Sequence, residues 1–249
     1  MRLIISMFCL VNIISCTKAQ KQTEMSVNKG NSVALVELFT SQGCSSCPPA
    51  DELLANLIKE YNDNQQVIAI SFHVDYWDRL GWKDPFSQRV FTQRQRNYVD
   101  KLDLRSAYTP QMVVNGKYEF VGSDKSALQS ALKKAQDDFS KVSVKNLMAK
   151  ESNDAISVSY EIDGKMDEDQ VFLCLISPKE VTSIKRGENG GRILTNTNVV
   201  LQMSEGLNNS KGTYDFKVPE SKKNDLAIIA FISDKNSMAV KAAYMTKLE

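Results

Sequence analysis

Histidine and tryptophan are almost missing from this chain, whose 249 residues hold one His, at position 73, and two Trp, at 77 and 82. Zinc wants four ligands, and a lone imidazole with few spare cysteines does not supply them. A surplus of charge is missing too. Lys and Arg number 31 against 30 Asp and Glu, and a net charge of +1 argues against a dedicated nucleic-acid surface. The chain shows no internal repeat and no low-complexity block, and its apolar opening, Leu3 to Ile14, is too brief for a membrane span.

That opening, behind a positive Arg2, reads as a secretory signal. Ile13-Ile14-Ser15-Cys16 resembles the lipobox of bacterial lipoproteins, which implies a lipid anchor on Cys16 and a periplasmic or outer-envelope location. Cleavage after Ala19, giving a soluble secreted product, is the rival. Either way Cys9 leaves with the signal, and Cys44, Cys47 and Cys174 remain as thiols. Residues 17–30 are polar and read as a flexible tether. The rest suffices for two domains with real cores, placed at residues 31–139 and 140–249.

The sharpest stretch runs from Val33 to Tyr61. Val33, Ala34, Leu35, Val36, Leu38 and Phe39 form a run of the kind buried on both faces of a central strand. After Cys47 the period changes: Leu53, Leu54, Leu57, Ile58 and Tyr61 share a helical face, with Pro48 and Pro49 tolerable only in a first turn. Cys44 and Cys47 therefore sit at a strand-to-helix turn, where unpaired N–H groups and the helix dipole favour a thiolate. Cys44, the more exposed, is the expected attacking thiol and Cys47 the resolving one, with Ser45 and Ser46 facing the partner. Two readings compete with redox chemistry. A permanent bridge is a poor staple across so short a loop. Copper(I) held by the two thiolates, with His73, is harder to exclude.

Val67 to Phe72 is a second buried strand, and the helix between makes a parallel pair. The two strands then end at the same edge of the sheet, so His73, Asp75, Tyr76, Trp77 and Trp82 should border the cysteines. His73 is a candidate for moving protons, and the aromatics for a binding wall, against ordinary burial and loop packing. Glu37, acidic in an apolar run, is a candidate proton acceptor for the second thiol. Asp84-Pro85 opens a helix through about Lys101 with Phe86, Val90, Gln93 and Asn97 in one stripe, leaving Arg89, Arg94 and Arg96 as a solvated face. Asn115-Gly116 joins a hairpin between Gln111–Val114 and Tyr118–Val121, and Ser123 caps a helix bearing Leu128, Ala131, Leu132 and Ala135.

Beyond about Lys141 the pattern is all strand, at Ile156 to Ile162, Val171 to Ile176, Tyr214 to Val218, Leu226 to Ile232 and Met238 to Met245, which suggests an antiparallel sandwich. Cys174 lies inside one of these strands as a buried thiol. Arg186 to Arg192, RGENGGR, is a long turn between strands, with Arg186, Glu188 and Arg192 as candidates for gripping a partner or covering the cysteines.

The order β, α, β, α, β, β, α, with Cys-x-x-Cys at the first junction and Thr-Pro before the third strand, resembles the thioredoxin fold. That resemblance implies a cis bond at Thr109-Pro110, packed beside the cysteines as a substrate edge. GCSSCPPAD, FHVDYWDRLGW, YTPQMVVNG and RGENGGR further resemble a secreted bacterial family catalogued as domain of unknown function 1223, which joins a thioredoxin-like part to a C-terminal β part. The expectation is thus an α/β thioredoxin-like N-terminal domain followed by an all-β antiparallel sandwich-like domain. Its function would be exported thiol–disulfide exchange between Cys44/Cys47 and the thiols or disulfides of other exported proteins, with no cofactor. The alternatives are a non-enzymatic copper(I) carrier and a binding scaffold with a structural disulfide. Client, direction of electron flow and oligomeric state stay open.

Overall fold

The computed structural model describes residues 34–61, 66–138, 140–152, 154–218 and 225–248. The expected leader, Cys16 and the tether lie outside them. The first half runs β1 (Ala34–Thr40), α1 (Pro48–Tyr61), β2 (Val67–His73), a 3-10 turn at Asp78–Leu80, α2 (Arg89–Lys101), β3 (Gln111–Val114), β4 (Tyr118–Val121) and α3 (Lys125–Ala135). The second half is strands alone: β5 (Ser143–Ser152), β6 (Ala155–Asp163), β7 (Asp169–Ser183), β8 (Ile193–Met203), β9 (Lys211–Lys217), β10 (Ala227–Asp234) and β11 (Val240–Lys247).

The expected division into a thioredoxin-like α/β domain and a following sandwich is overturned. The structure is 45% strand and 20% helix, and among the described residues no separate α/β domain stands on the N-terminal side. One mixed sheet of eight strands runs β11-β10-β7-β8-β2-β1-β3-β4, taking strands from both halves of the chain. The joint is at β2. With β1 parallel on one side, the other edge of this apolar strand would present unpaired backbone groups, and β8 covers it through the pairing of Ser71 with Val199. Side chains lock the seam: Asn198 donates to the Ala69 carbonyl at 2.8 Å and Ser71 to the Thr197 carbonyl at 3.1 Å.

Burial follows from that sheet. One face packs Leu35, Phe39, Phe72, Phe91 and Tyr98 together with Cys174, Ile229 and Phe231, so a single core serves both halves. On the other face, α1 and α3 cover Val36, Leu38, Met112 and Val114. Further along, Leu173, Leu175, Ile228 and Ala230 pack against the second sheet, β5-β6-β9, which makes this end a β-sandwich.

Several local expectations shift. Helix α2 starts at Arg89, not Asp84, because the Asp84 carboxylate is engaged by Gln42 N–H at 2.8 Å and Phe86 N–H at 3.0 Å and shapes a turn instead. Its inward stripe is Phe91, Thr92, Arg94, Gln95 and Tyr98, while Val90 is 45% exposed. Arg94, expected on a solvated face, is buried. Helix α3 is capped by Asp124, which accepts from Ser126 and Ala127 N–H, rather than by Ser123. The Asn115-Gly116 hairpin forms with positive φ at both residues, as such a turn requires.

Candidate active site

The strand-to-helix turn after β1 holds Cys44 and Cys47 joined in a disulfide. Neither is exposed. Both have 0% accessibility, so Cys44 does not have the greater exposure expected of it, whereas Ser45 and Ser46 form the solvent-facing tip. The Ser46 hydroxyl lies 3.4 Å from the Cys44 sulfur, which as part of a disulfide can only accept. Cys47 ends the turn, and its carbonyl accepts the first helical bonds of α1 from Ala50 and Asp51 N–H, at 2.8 and 3.1 Å.

The turn is held by much besides its bridge. Asp84 accepts from Gln42 N–H, and the Ser41 hydroxyl accepts from Gly43 N–H at 3.0 Å. From the β7–β8 hairpin, the Asn189 amide donates to the Gln42 and Cys44 carbonyls at 3.0 and 2.9 Å, and Glu188 accepts from Ser45 N–H at 3.0 Å. Arg192 steadies this strap by donating to the Asn189 side-chain oxygen at 2.7 Å. Arg186 is exposed on the same strap. Gly187, at φ +79°, packs where a Cβ would sit 3.1 Å from Trp82 Cβ, so the strap lies against the tryptophan loop as well.

Both tryptophans are tied to the site. Trp82 donates to the Gln42 side chain at 3.2 Å, and Gln42 in turn donates to Thr182 and Asn196 at 3.0 and 3.1 Å. Trp77 donates to the Thr109 hydroxyl at 2.8 Å and closes over Gly43. The Thr109-Pro110 bond is cis, and Pro110 is buried near Ala50 of α1, the two meeting around Gly122. Asp75 is bound to α2, accepting from the Thr92 hydroxyl at 2.6 Å and donating to it from its backbone at 3.0 Å.

Glu37 stands elsewhere than its expected role requires. It lies on the β1 face opposite α1, where its carboxylate accepts from Arg94 at 2.5 and 3.0 Å and from Tyr98 at 2.5 Å. His73 is fully buried, its Nδ1 2.7 Å from Asp84. Burial alone would lower the His73 pKa, but Asp84 outweighs it and the net shift is upward. The Asp84 carboxyl is held below the usual range, since the burial that would raise it is outweighed by the His73 charge.

Sequence reasoning misses the residues that do most of the holding: Gln42, Asp84, Asn189 and Asn196. Asn189 lies inside the RGENGGR stretch, where its charged neighbours are the more conspicuous. Asp51 is missed as well, since a carboxylate in a first helical turn is ordinary. It is only 7% exposed, and burial pushes its pKa up from 3.8 to about 7.

The sequence model of the family described as "Protein of unknown function (DUF1223)" matches residues 35–233. Among solved structures, a protein of Agrobacterium tumefaciens is similar at 26% identity, covering 88% of this chain and 99% of its own, with a TM-score of 0.63. HBP35 of Porphyromonas gingivalis is similar at 17% identity, covering 88% of this chain and 76% of its own, also at 0.63, a likeness of fold. No curated protein matches the chain.

Proposed function

We propose, for a chain that belongs to the family of unknown function DUF1223, that it exchanges its Cys44/Cys47 dithiol and disulfide with the thiols of other proteins outside the cytoplasm. One observation carries the reading. The turn is fixed by hydrogen bonds that Ser41, Asp84 and Glu188 accept from its N–H groups and that Asn189 donates to its carbonyls, so the covalent bridge is redundant as a staple. A bridge closing so short a loop adds little chain-entropy stabilisation either, which leaves its chemistry as its use.

In the reducing direction, the Cys44 thiolate attacks a client disulfide, forms a mixed disulfide and releases one client thiolate. Cys47 then loses its proton and attacks the Cys44 sulfur, expelling the second client thiolate. Two electrons pass from the dithiol to the client, and the reverse sequence oxidises it. The partner is an exported protein, in keeping with the reading of residues 1–16 as an export signal with its anchor at Cys16.

Because the sulfurs are covered, access depends on the strap at residues 186–192. Glu188 is its exposed contact to the cysteine turn, so Glu188→Ala is expected to speed reduction of the bridge by dithiothreitol by roughly two- to fivefold, through easier local opening. Thermal unfolding should not change. An unaltered rate would show that the strap does not gate the bridge.

The test of the reading is the equilibrium reduction potential of the pair against glutathione. Exchange proteins lie between about −120 and −270 mV, and that range is the expected result. A value below about −300 mV would mark a structural bridge and sink the proposal.

A further inference from the structure

A cluster of polar side chains with unmet hydrogen-bonding capacity lies beneath the disulfide turn. Thr40 ends β1, His73 ends β2, Asn196 lies on β8 and Asp51 belongs to the first turn of α1; all four are buried. Thr40 Oγ1, Asp51 Oδ1, His73 Nε2 and Asn196 Nδ2 are each shielded from solvent and have no partner outside the cluster, Thr40 and Asn196 being turned toward the Asp51 carboxyl. Buried polar groups that find no partner beyond one another are costly to keep, and packing alone does not explain such a cluster.

The cluster is also next to the second cysteine. Asp51 N–H donates to the Cys47 carbonyl at 3.1 Å, one helical turn away. Side chains on a helix lean toward its N-terminus, which directs the Asp51 carboxyl back toward Cys47. Glu37 does not occupy that position: its carboxylate is on the opposite face of β1, bound to Arg94 and Tyr98.

We propose that Asp51 is the proton acceptor and donor for Cys47, an inference that rests on the exchange reading above. When Cys47 resolves the mixed disulfide, its thiol proton passes to the Asp51 carboxylate. The Cys47 thiolate attacks the Cys44 sulfur, the bond from Cys44 to the client breaks, and the departing client thiolate takes the proton from Asp51. In the opposite direction Asp51 protonates Cys47 as the bridge opens. Burial, which pushes the Asp51 pKa to about 7, lets the group hold a proton below neutrality and accept one above it. His73, Thr40 and Asn196 face Asp51 and oppose that rise, and Asp84 adds to it. Glu180, like Asp84, acts on His73.

The experiment uses the full chain, reduced and then mixed with oxidised glutathione, with acid quenching and mass analysis over a range of pH. Formation of the Cys44–glutathione mixed disulfide and its loss as Cys47 closes the bridge are read as two rates. In wild type the second rate is expected to rise through an inflection near pH 7, the value to which Asp51 is shifted. In Asp51→Asn the first rate should stay within about twofold, the second should fall by at least about tenfold, and the inflection should vanish. Asp51→Glu should restore part of the second rate. A wild-type second step with no inflection overturns the role of Asp51, whether or not the variant folds. So does an Asp51→Asn second step equal to wild type. A wild type that forms no mixed disulfide at any pH overturns the exchange reading, and this inference with it.

Discussion

Arg94→Met is expected to destabilise the protein by about 3–5 kcal/mol, the cost of leaving a buried charge without its partner. Arg94 is 4% exposed and Glu37 is fully buried, joined by two hydrogen bonds with Tyr98 as a third member. Around the guanidinium stand the rings of Phe231, Tyr98, Phe172 and Phe72, with centroids 4.9, 5.2, 5.5 and 5.7 Å away. These rings come from β10, α2, β7 and β2, so the arginine ties the two halves of the chain through one core. Urea unfolding of three proteins makes the test. Arg94→Met alone should lose most, whereas Arg94→Met with Glu37→Leu should recover at least about 2 kcal/mol, because no uncompensated charge remains. A single variant costing under about 1 kcal/mol, or a double variant no better than the single, would show that the pair is not a desolvated ion pair of this kind.

The same residues explain how far the sequence can be read. Strands β1 and β2 are legible because both faces of each are buried and their apolar runs are continuous. Helix α3 is legible because Leu128, Ala131, Leu132 and Ala135 keep one period and all four are buried. Helix α2 misleads because its inward face carries Arg94, Gln95 and Thr92, polar groups whose partners come from distant parts of the chain. A pattern of hydrophobicity reports burial only where burial is apolar. For the same reason the apolar Val90 reads as inward when it faces solvent, and Glu37 reads as a partner of the thiols when it belongs to Arg94.

Tertiary pairing is less legible still. Nothing local in β8 announces that it will complete the β2 edge, since the registering contacts span more than a hundred residues of chain, as with Asn198 and Ala69. Strands β5 and β8 escape the sequence pattern altogether. The site divides in the same way. Its covalent centre is visible as Cys44, Cys47 and the flanking helix start, while its support, from Asp84, Asn189 and Asn196, depends on loops meeting across the fold. The charged residues of the strap stand out in sequence, yet the amide of Asn189 makes two of its contacts to the cysteine turn and the Glu188 carboxylate a third.

Asp84→Asn is the second substitution with a large expected effect, and its pH dependence separates charge from hydrogen bonding. The Asp84 carboxyl is held below its usual value, so it contributes stability that is present above 3.8 and is lost as pH falls through the depressed value. His73 has the opposite sign. Its pKa is raised, so its contribution is complete below 6.5 and is lost as pH rises through the raised value. Asp51 adds a third slope, because its pKa moves from 3.8 to about 7 and the folded protein keeps a proton that the unfolded chain has released. Stability therefore falls as pH rises between those values, by up to about 1.4 kcal/mol per pH unit. Together the three groups place the maximum near pH 3.8, with a decline that runs to about 7 through Asp51 and continues through the raised His73 value. In Asp84→Asn the His73 imidazolium loses its counter-charge, so the cost should be greatest below 6.5, at about 3–5 kcal/mol, and should shrink as the pH rises through the raised His73 value. Urea titrations at about pH 5 and about pH 9 read the difference directly. A cost equal at both would mean that Asp84 acts on Gln42 and Phe86 N–H alone, as an acceptor that shapes the turn, and that the buried pair with His73 carries no charge.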